Sequence, residues 1–182
     1  MRRNAPLLGV PAAKVDLAVR GETRGVISWR IGGVLRHGNE LLNGLYEDYE
    51  ADAKGLVKGY DLPSIRTVLQ PYGGWDRGLT AFDCFAGLLV FDALISNTDR
   101  HHENWAVLEE FQELAPSYDH GASLGFNTPT NMRWSGARSF AARGRSRHFP
   151  GRLSYVDLAQ SALAMLVPDI RQVARSSGGS GH

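Results

Sequence analysis

The sequence predicts an α+β fold, mainly helical, with a β-hairpin embedded among the helices. Three observations carry this. "KVDLAV" (14–19) and "RGVISWRI" (24–31) are β-rich runs joined by a Gly-containing turn, the pattern of a hairpin. "TAFDCFAGLLVFDALISN" (80–97) is apolar on nearly every side, as a buried central helix must be. "NWAVLEEFQELAPSYDHG" (104–121) reads as two short strands that meet near Glu109 to Gln112, with helical segments on either side.

The remaining elements follow in order. "GNELLNGLYEDYEAD" (38–52) spaces Leu41, Leu42, Leu45, Tyr46 and Tyr49 close to a helical period, with Asn39 as cap. "LPSIRTVLQPYGG" (62–74) predicts a short helix stopped by Pro71 and Gly73. Thr80 and Asp83 form a capping box at the start of the central helix. From Asn127 to Gly151 the Gly, Pro, Ser and Arg content predicts long loops or short irregular helix. "SYVDLAQSALAMLV" (154–167) predicts a helix with Ser154 as cap and Asp157 closing a second capping box. "PDIRQVARS" (168–176) continues as a last short helix, and "SSGGSGH" at the end reads as a flexible tail.

At 182 residues the chain has the length of one domain, or of one with an appendage, and its 43% hydrophobic share supports a real core. A formal charge of +1 excludes a global field that would drive it toward nucleic acid or membrane. Cys84 is the only cysteine, which excludes an internal disulfide and fits a reducing cytoplasm. Lying within an apolar run, it is expected to be a small core residue. The basic N-terminus "MRRNAPLLGVPAAK" has too short and proline-broken an apolar stretch for a signal peptide. The most apolar segment, 80–96, is interrupted by Asp83 and Asp92 and is marginal in length for a membrane span. A soluble cytoplasmic protein is expected.

The chemistry concentrates in "ISNTDRHHENWAVLEE" (95–110). Asp99 and Asn104 are separated by Arg-His-His-Glu, and Asp119 follows in "SYDHG" at the end of the second short strand. A D-x-x-x-x-N loop, a hairpin and a second Asp beside Gly is the order of a phosphoryl-transfer site. Such a site needs a carboxylate near the attacking hydroxyl and hard oxygen ligands for Mg²⁺. Asp99 suits the first role; Asn104 and Asp119 suit the second. Taken singly, each residue has a plainer reading as a turn former, strand start or loop neighbour. A zinc site from His101, His102, Glu103 and His120 is the rival chemistry, but H-H-E lacks the i, i+4 spacing of H-E-x-x-H. No G-x-S-x-G elbow supports a serine hydrolase.

"FDALISNTDRHHENWAVL" followed by "LAPSYDHGASLGF" resembles the C-terminal lobe of HipA-like serine/threonine kinases, and more distantly the D-R-H-x-x-N catalytic loop of phosphatidylinositol 3/4-kinases. The likeness runs from about Val10 to about Leu166 and includes "VISWRI", "HGNELL" and "RGRSRHF". The resemblance implies a protein-kinase-like α+β fold with a nearly complete helical lobe and a truncated small N-terminal lobe. It implies Asp99 as catalytic base and His101 as the loop histidine beside it. It further implies Asn104 and Asp119 as metal ligands, and Ser28, Trp29 and Arg30 as the hinge that binds the adenine ring. ATP and Mg²⁺ are the implied cofactors. The implied domains are 1–36, a small-lobe remnant with hinge strands; 37–175, the helical lobe; and 176–182, the tail. The implied partners are a protein substrate and an antitoxin-like or upstream small-lobe polypeptide.

The sequence departs from that pattern at one place. Kinases of this kind cover the phosphates with a Gly-rich loop and touch them with a strand Lys. Neither is present before Val10, Lys14 is poorly placed, and "RIGG" (30–33) is a turn after a strand. The expectation is therefore a kinase domain of reduced activity, with two alternatives: an inactive kinase-fold binding module, or half of a split toxin–antitoxin kinase.

From His120 to Val156 there is no acidic residue, and Arg133, Arg138, Arg143, Arg145, Arg147 and Arg152 gather there among Trp134, Phe140 and Phe149. Nucleic acid is one partner this composition suits. A loop whose arginines pair with the acids between Glu40 and Asp52 is the favoured reading. A third is that Arg143, Arg145 and Arg147 hold a phosphorylated loop or an acidic acceptor protein.

Overall fold

A single buried helix organises the chain in the computed structural model, which describes residues 9–53, 55–124 and 144–166. Helix α3 (Ala81–Ile95) starts at the expected capping box: Thr80 Oγ1 accepts the Asp83 N–H, and the Asp83 carboxylate accepts the Thr80 N–H. It buries Phe82, Cys84, Phe85, Leu88 and Leu89 on several faces, which is why its sequence shows no polar stripe. It stops at Ser96, whose φ of 52° is the left-handed cap conformation.

Among the described residues three further α-helices share its core. Helix α1 spans Gly38–Asn43, α2 spans Leu62–Leu69 and α4 spans Tyr155–Ala164. Asp61 caps α2 by accepting the Ser64 N–H at 2.9 Å, and the Ser154–Asp157 box caps α4 as expected. Phe85 meets Trp105 edge-on with 5.3 Å between ring centroids, and Tyr60 lies 4.5 Å from Phe149. Cys84 is buried and burial raises its thiol pKa, so it is a core residue.

Two small sheets complete the fold. Strands β1 (Val15–Arg20) and β2 (Thr23–Ser28) pair antiparallel from Val15↔Ser28 to Arg20↔Thr23 around the turn at Gly21 and Glu22. Strands β3 (Leu35–His37), β4 (Ala106–Leu108) and β5 (Glu113–Leu114) form an antiparallel sheet in the order β3-β4-β5. The predicted hairpins are both present; β3, only three residues long, has no sequence period to reveal it. Residues 11–13 run beside Ser117: the Ala13 N–H donates to the Ser117 carbonyl, and the Ser117 N–H to that of Pro11, both at 2.8 Å.

The helix expected over 38–52 is shorter than predicted. Its N-cap is His37, because Glu40 accepts the His37 N–H at 2.7 Å, while the Asn39 side chain instead donates to the Ala51 carbonyl. Gly44 follows the last turn, and the Tyr46 and Tyr49 hydroxyls are drawn away to Ser64 and His102. Tertiary hydrogen bonds override a marginal helical period. Of the loop expected over 127–151, residues 144–151 are described, running into a short 3₁₀ turn at Pro150–Arg152. The last short helix and the tail lie outside the described residues. No helix among those described is long and apolar enough to cross a membrane.

Helix α1 lies directly on Trp105. A Cβ on Gly38 would stand 2.3 Å from the indole and 2.5 Å from the His102 carbonyl oxygen. Gly38→Ala is expected to cost about 1–3 kcal/mol through overpacking, read as a lower denaturation midpoint. An unchanged midpoint would mean that α1 does not sit against Trp105.

Candidate active site

The loop after α3 is built on one buried ion pair. Asp92, in the last turns of α3, receives Arg100 Nε on Oδ2 and Nη2 on Oδ1, each at 2.8 Å, and both side chains are inaccessible to solvent. Asn97 Nδ2 adds a further 2.8 Å bond to Oδ1. Burial works against the Arg100 charge, but the Asp92 charge and hydrogen bonds outweigh it and leave its pKa above the ordinary value. The Arg100 backbone is fixed as well. Its N–H donates to the Tyr155 hydroxyl at 2.8 Å, and its carbonyl accepts from Tyr60 at 2.9 Å. The remaining guanidinium nitrogen, Nη1, donates to the carbonyls of Asn104 and Tyr118. One side chain thus ties α3 and its own loop to the segment that carries Asp119.

Asp99 and Asn104 are held together by this arrangement. Asn104 is buried, and its Nδ2 donates to the Asp99 carbonyl at 2.6 Å, which sends its amide oxygen to the other side. The Asp99 side chain is 43% exposed, and its Oδ1 lies 2.7 Å from His148 Nε2. His148 Nδ1 lies 3.0 Å from the Gly55 carbonyl. Sequence reasoning missed Asp92, Arg100 and His148. A charged residue inside an apolar helix signals a buried partner, so Asp92 was detectable. His148 lies within the stretch "RGRSRHF", but no local signal pairs it with Asp99, 49 positions away.

Asp119 is exposed and takes a φ of 53°, in the left-handed region that few residues other than glycine adopt. It follows Tyr118, whose backbone carbonyl shares Arg100 Nη1 with that of Asn104, so one guanidinium ties the backbone beside Asp119 to the backbone of Asn104. An amide oxygen and a carboxylate are hard ligands that fit Mg²⁺. His101 is half-buried beside Asp99. Its Nδ1 accepts the Glu103 N–H at 3.2 Å, and burial lowers its pKa against the opposing pull of Asp99.

The zinc alternative fits less well. His101, His102 and Glu103 do place ligand atoms within 4.8 Å of one another. His102, however, is bound at Nδ1 by the Tyr49 hydroxyl at 2.7 Å and bonds the Ala53 backbone as well. His120 is held elsewhere, between Ser117 Oγ at 2.8 Å and the face of Phe91.

Ser28 ends β2, Trp29 and Arg30 follow it, and all three are exposed. The Trp29 N–H donates to the Lys14 carbonyl at 2.8 Å, its indole to Asp16 at 2.6 Å, and Lys14 Nζ stands 4.7 Å over the ring. The hairpin therefore already engages one backbone donor of the expected hinge. Among the described residues no hydrogen bond or ion pair joins these three to the Asp99–Asn104 loop. The chain continues through Ile31, which packs with Tyr118 on the small apolar cluster of Ala106, Leu108 and Ala115.

Asp99, His101, Glu103 and His148 line a cleft of about 300 Å³ with Ala53 and Gly55. No protein-family model matches the chain, and no curated protein matches it. Among solved structures it is similar to the crystal structure of a Helicobacter pylori proinflammatory kinase, CtkA, with 21% identity and a TM-score of 0.53. The match covers 67% of this chain and 42% of that one. At this identity the likeness concerns the fold, which is kinase-like; the chain spans less than half the length of that kinase.

Two expectations follow from the buried charges. Asp92→Ala strands the Arg100 guanidinium in the core and is expected to cost about 3–5 kcal/mol, whereas adding Arg100→Met to it restores part of the loss. Equal loss in the single and double variants, by denaturant titration, would show that the pair is not the source. The second concerns pH. Burial lowers the pKa of His101, His102 and His120 below the ordinary 6.5. The unfolded chain then binds protons before the folded one does, so this stability is present above the unfolded value and disappears as pH falls toward the folded values. Calorimetry should show the melting temperature falling below about pH 6.5, and His120→Gln should flatten the fall. A rise on acidification would contradict the assignment.

Proposed function

We propose that the chain is a HipA-like serine/threonine protein kinase domain that uses ATP and Mg²⁺ at the loop from Asp99 to Asn104 and at Asp119. The observation that carries this reading is the shared guanidinium of Arg100, which joins Asn104 and the Tyr118–Asp119 segment. Asn104 Oδ1 and the Asp119 carboxylate would hold the metal, which when bound offsets negative charge on the nucleotide phosphates.

Asp99 faces the acceptor hydroxyl in this reading, and His148 sets how it does so. His148 bridges the Gly55 carbonyl at Nδ1 and Asp99 Oδ1 at Nε2. The contact fixes one carboxylate oxygen and leaves Oδ2 for the acceptor, so Asp99 orients the hydroxyl in this reading. His101, whose pKa burial lowers, lies with its ring 5.1 Å from that of His148, tilted by 56°. With an antitoxin-like partner such a domain would serve as the kinase half of a toxin–antitoxin pair in the cytoplasm.

A second reading is an interaction module on a kinase fold, favoured by the β1–β2 hairpin. Val15, Leu17, Val19 and Val26 share one face and are 53%, 91%, 71% and 65% exposed. The outer edges of both strands are unpaired among the described residues, the geometry that accepts a strand from an upstream small-lobe polypeptide.

Thermal denaturation with millimolar Mg²⁺–ATP separates the two. Binding at tenfold over Kd stabilises by about 1.4 kcal/mol, a rise of about 3–5 °C, and Asp119→Ala is expected to abolish the rise. A melting curve indifferent to nucleotide sinks the kinase reading and leaves the interaction module.

A further inference from the structure

Beside the Asp99 cleft lies a larger one, of about 880 Å³, which includes Gly55, Thr98, Arg145, Arg147 and Arg152 in its lining. Gly55 borders both clefts, Thr98 adjoins Asp99 in sequence, and His148 of the smaller cleft follows Arg147. The segment alternates: Gly144, Ser146 and His148 are buried, whereas Arg145 and Arg147 face outward. Arg152 returns to the same place because Gly151 and Arg152 both take positive φ, 78° and 50°. Its carbonyl accepts from Arg145 Nη1 at 3.4 Å.

The favoured sequence reading, that these arginines pair with the acids between Glu40 and Asp52, does not hold for the described ones. No carboxylate among the described residues lies within ion-pair distance of Arg145, Arg147 or Arg152, and none lines the cleft. Asp157, in the first turn of α4, feels the Arg145 charge without forming an ion pair with it. Three guanidinium groups gathered with no ion pair among the described residues form a receptor for carboxylate or phosphate groups. The nucleic-acid reading loses its described stacking residue: Phe149 is 1% exposed and packs on Tyr60, so no base can lie on it. Trp134 and Phe140 lie outside the described residues.

We infer that this cleft binds an acidic or phosphorylated polypeptide and presents its hydroxyl residue to Asp99. The acceptor class this names rests on the kinase reading; the binding of an acidic peptide does not. Acidic side chains a few residues from the acceptor Ser or Thr engage Arg145, Arg147 and Arg152, while the acceptor passes Thr98 toward Asp99.

The test uses fluorescence anisotropy of the full chain with a labelled peptide: one Ser flanked by Glu and phosphoserine, against the same peptide with Ala in those places. The acidic peptide is expected to bind and the neutral one not. Arg147→Ala should weaken binding about tenfold, the triple variant at Arg145, Arg147 and Arg152 more, and added salt should weaken both. All three side chains are exposed, so the variants should keep the parent melting temperature. Arg147→Lys, which keeps the charge without the fork, should fall between. Equal binding of the two peptides, or an unaffected triple variant, overturns the proposal. So does binding of phosphoinositide vesicles in place of the peptide. Peptide binding with no Mg²⁺–ATP thermal shift overturns only the acceptor role, whereas a nucleotide shift without peptide binding overturns the cleft and leaves the kinase reading intact.

Discussion

Everything around the loop depends on Arg100 being charged, buried and fully bonded. A guanidinium carries five N–H donors in a fixed plane, and a buried one must place them on acceptors. Here Asp92 takes two, and the carbonyls of Asn104 and Tyr118 share a third nitrogen. The loop cannot relax away from α3 without exposing or orphaning that charge. Buried pairs seldom add net stability over an apolar replacement, because desolvating both ions offsets most of the attraction. The gain here is positional: a charge with a single satisfactory geometry fixes Asn104 and Tyr118 relative to the helix.

The surrounding tyrosines extend the same constraint. Tyr60 and Tyr155, both buried, grip the two sides of the Arg100 backbone, from the segment before α2 and from α4. Tyr49 holds His102, and Tyr118 reaches the Glu103 carbonyl at 2.9 Å. Aromatic hydroxyls suit this work: the ring fills core volume, and its polar end finishes a backbone bond. They come from the connection between α1 and α2, from the segment after β5 and from α4, so the loop is clamped from several directions.

This explains what the sequence made legible and what it did not. The Asp99–Asn104–Asp119 order is local, spanning a loop and one hairpin, so spacing picks these residues out as candidates. The capping boxes at Thr80 and Ser154 were visible for the same reason. The contacts of Asp99 with His148 and of Arg100 with Tyr155 join residues 49 and 55 positions apart, and no periodicity encodes them. Local signals also misled over 38–52, where the tyrosines that completed a helical period are used for hydrogen bonds to distant partners. The hinge expectation at Ser28–Arg30 rested on likeness, and the hairpin's own register engages the Trp29 N–H.

Three aspartates surround the loop, and their environments divide the work between them. Asp92 has both oxygens saturated and no solvent access, so it cannot reach a ligand; its role is architectural. Asp99 has one oxygen on His148 and is partly open to a cleft, which suits a carboxylate that must meet a substrate while keeping its direction. Asp119 is exposed and left-handed, next to side chains whose hydrogen bonds run to His120 from Ser117 and to Glu103 from Tyr118. Desolvation and hydrogen bonding thus grade one residue type from structural to available within a single loop and its hairpin. The phosphoryl-transfer reading needs that gradation, because a carboxylate satisfied by the protein cannot also serve a metal or an acceptor hydroxyl.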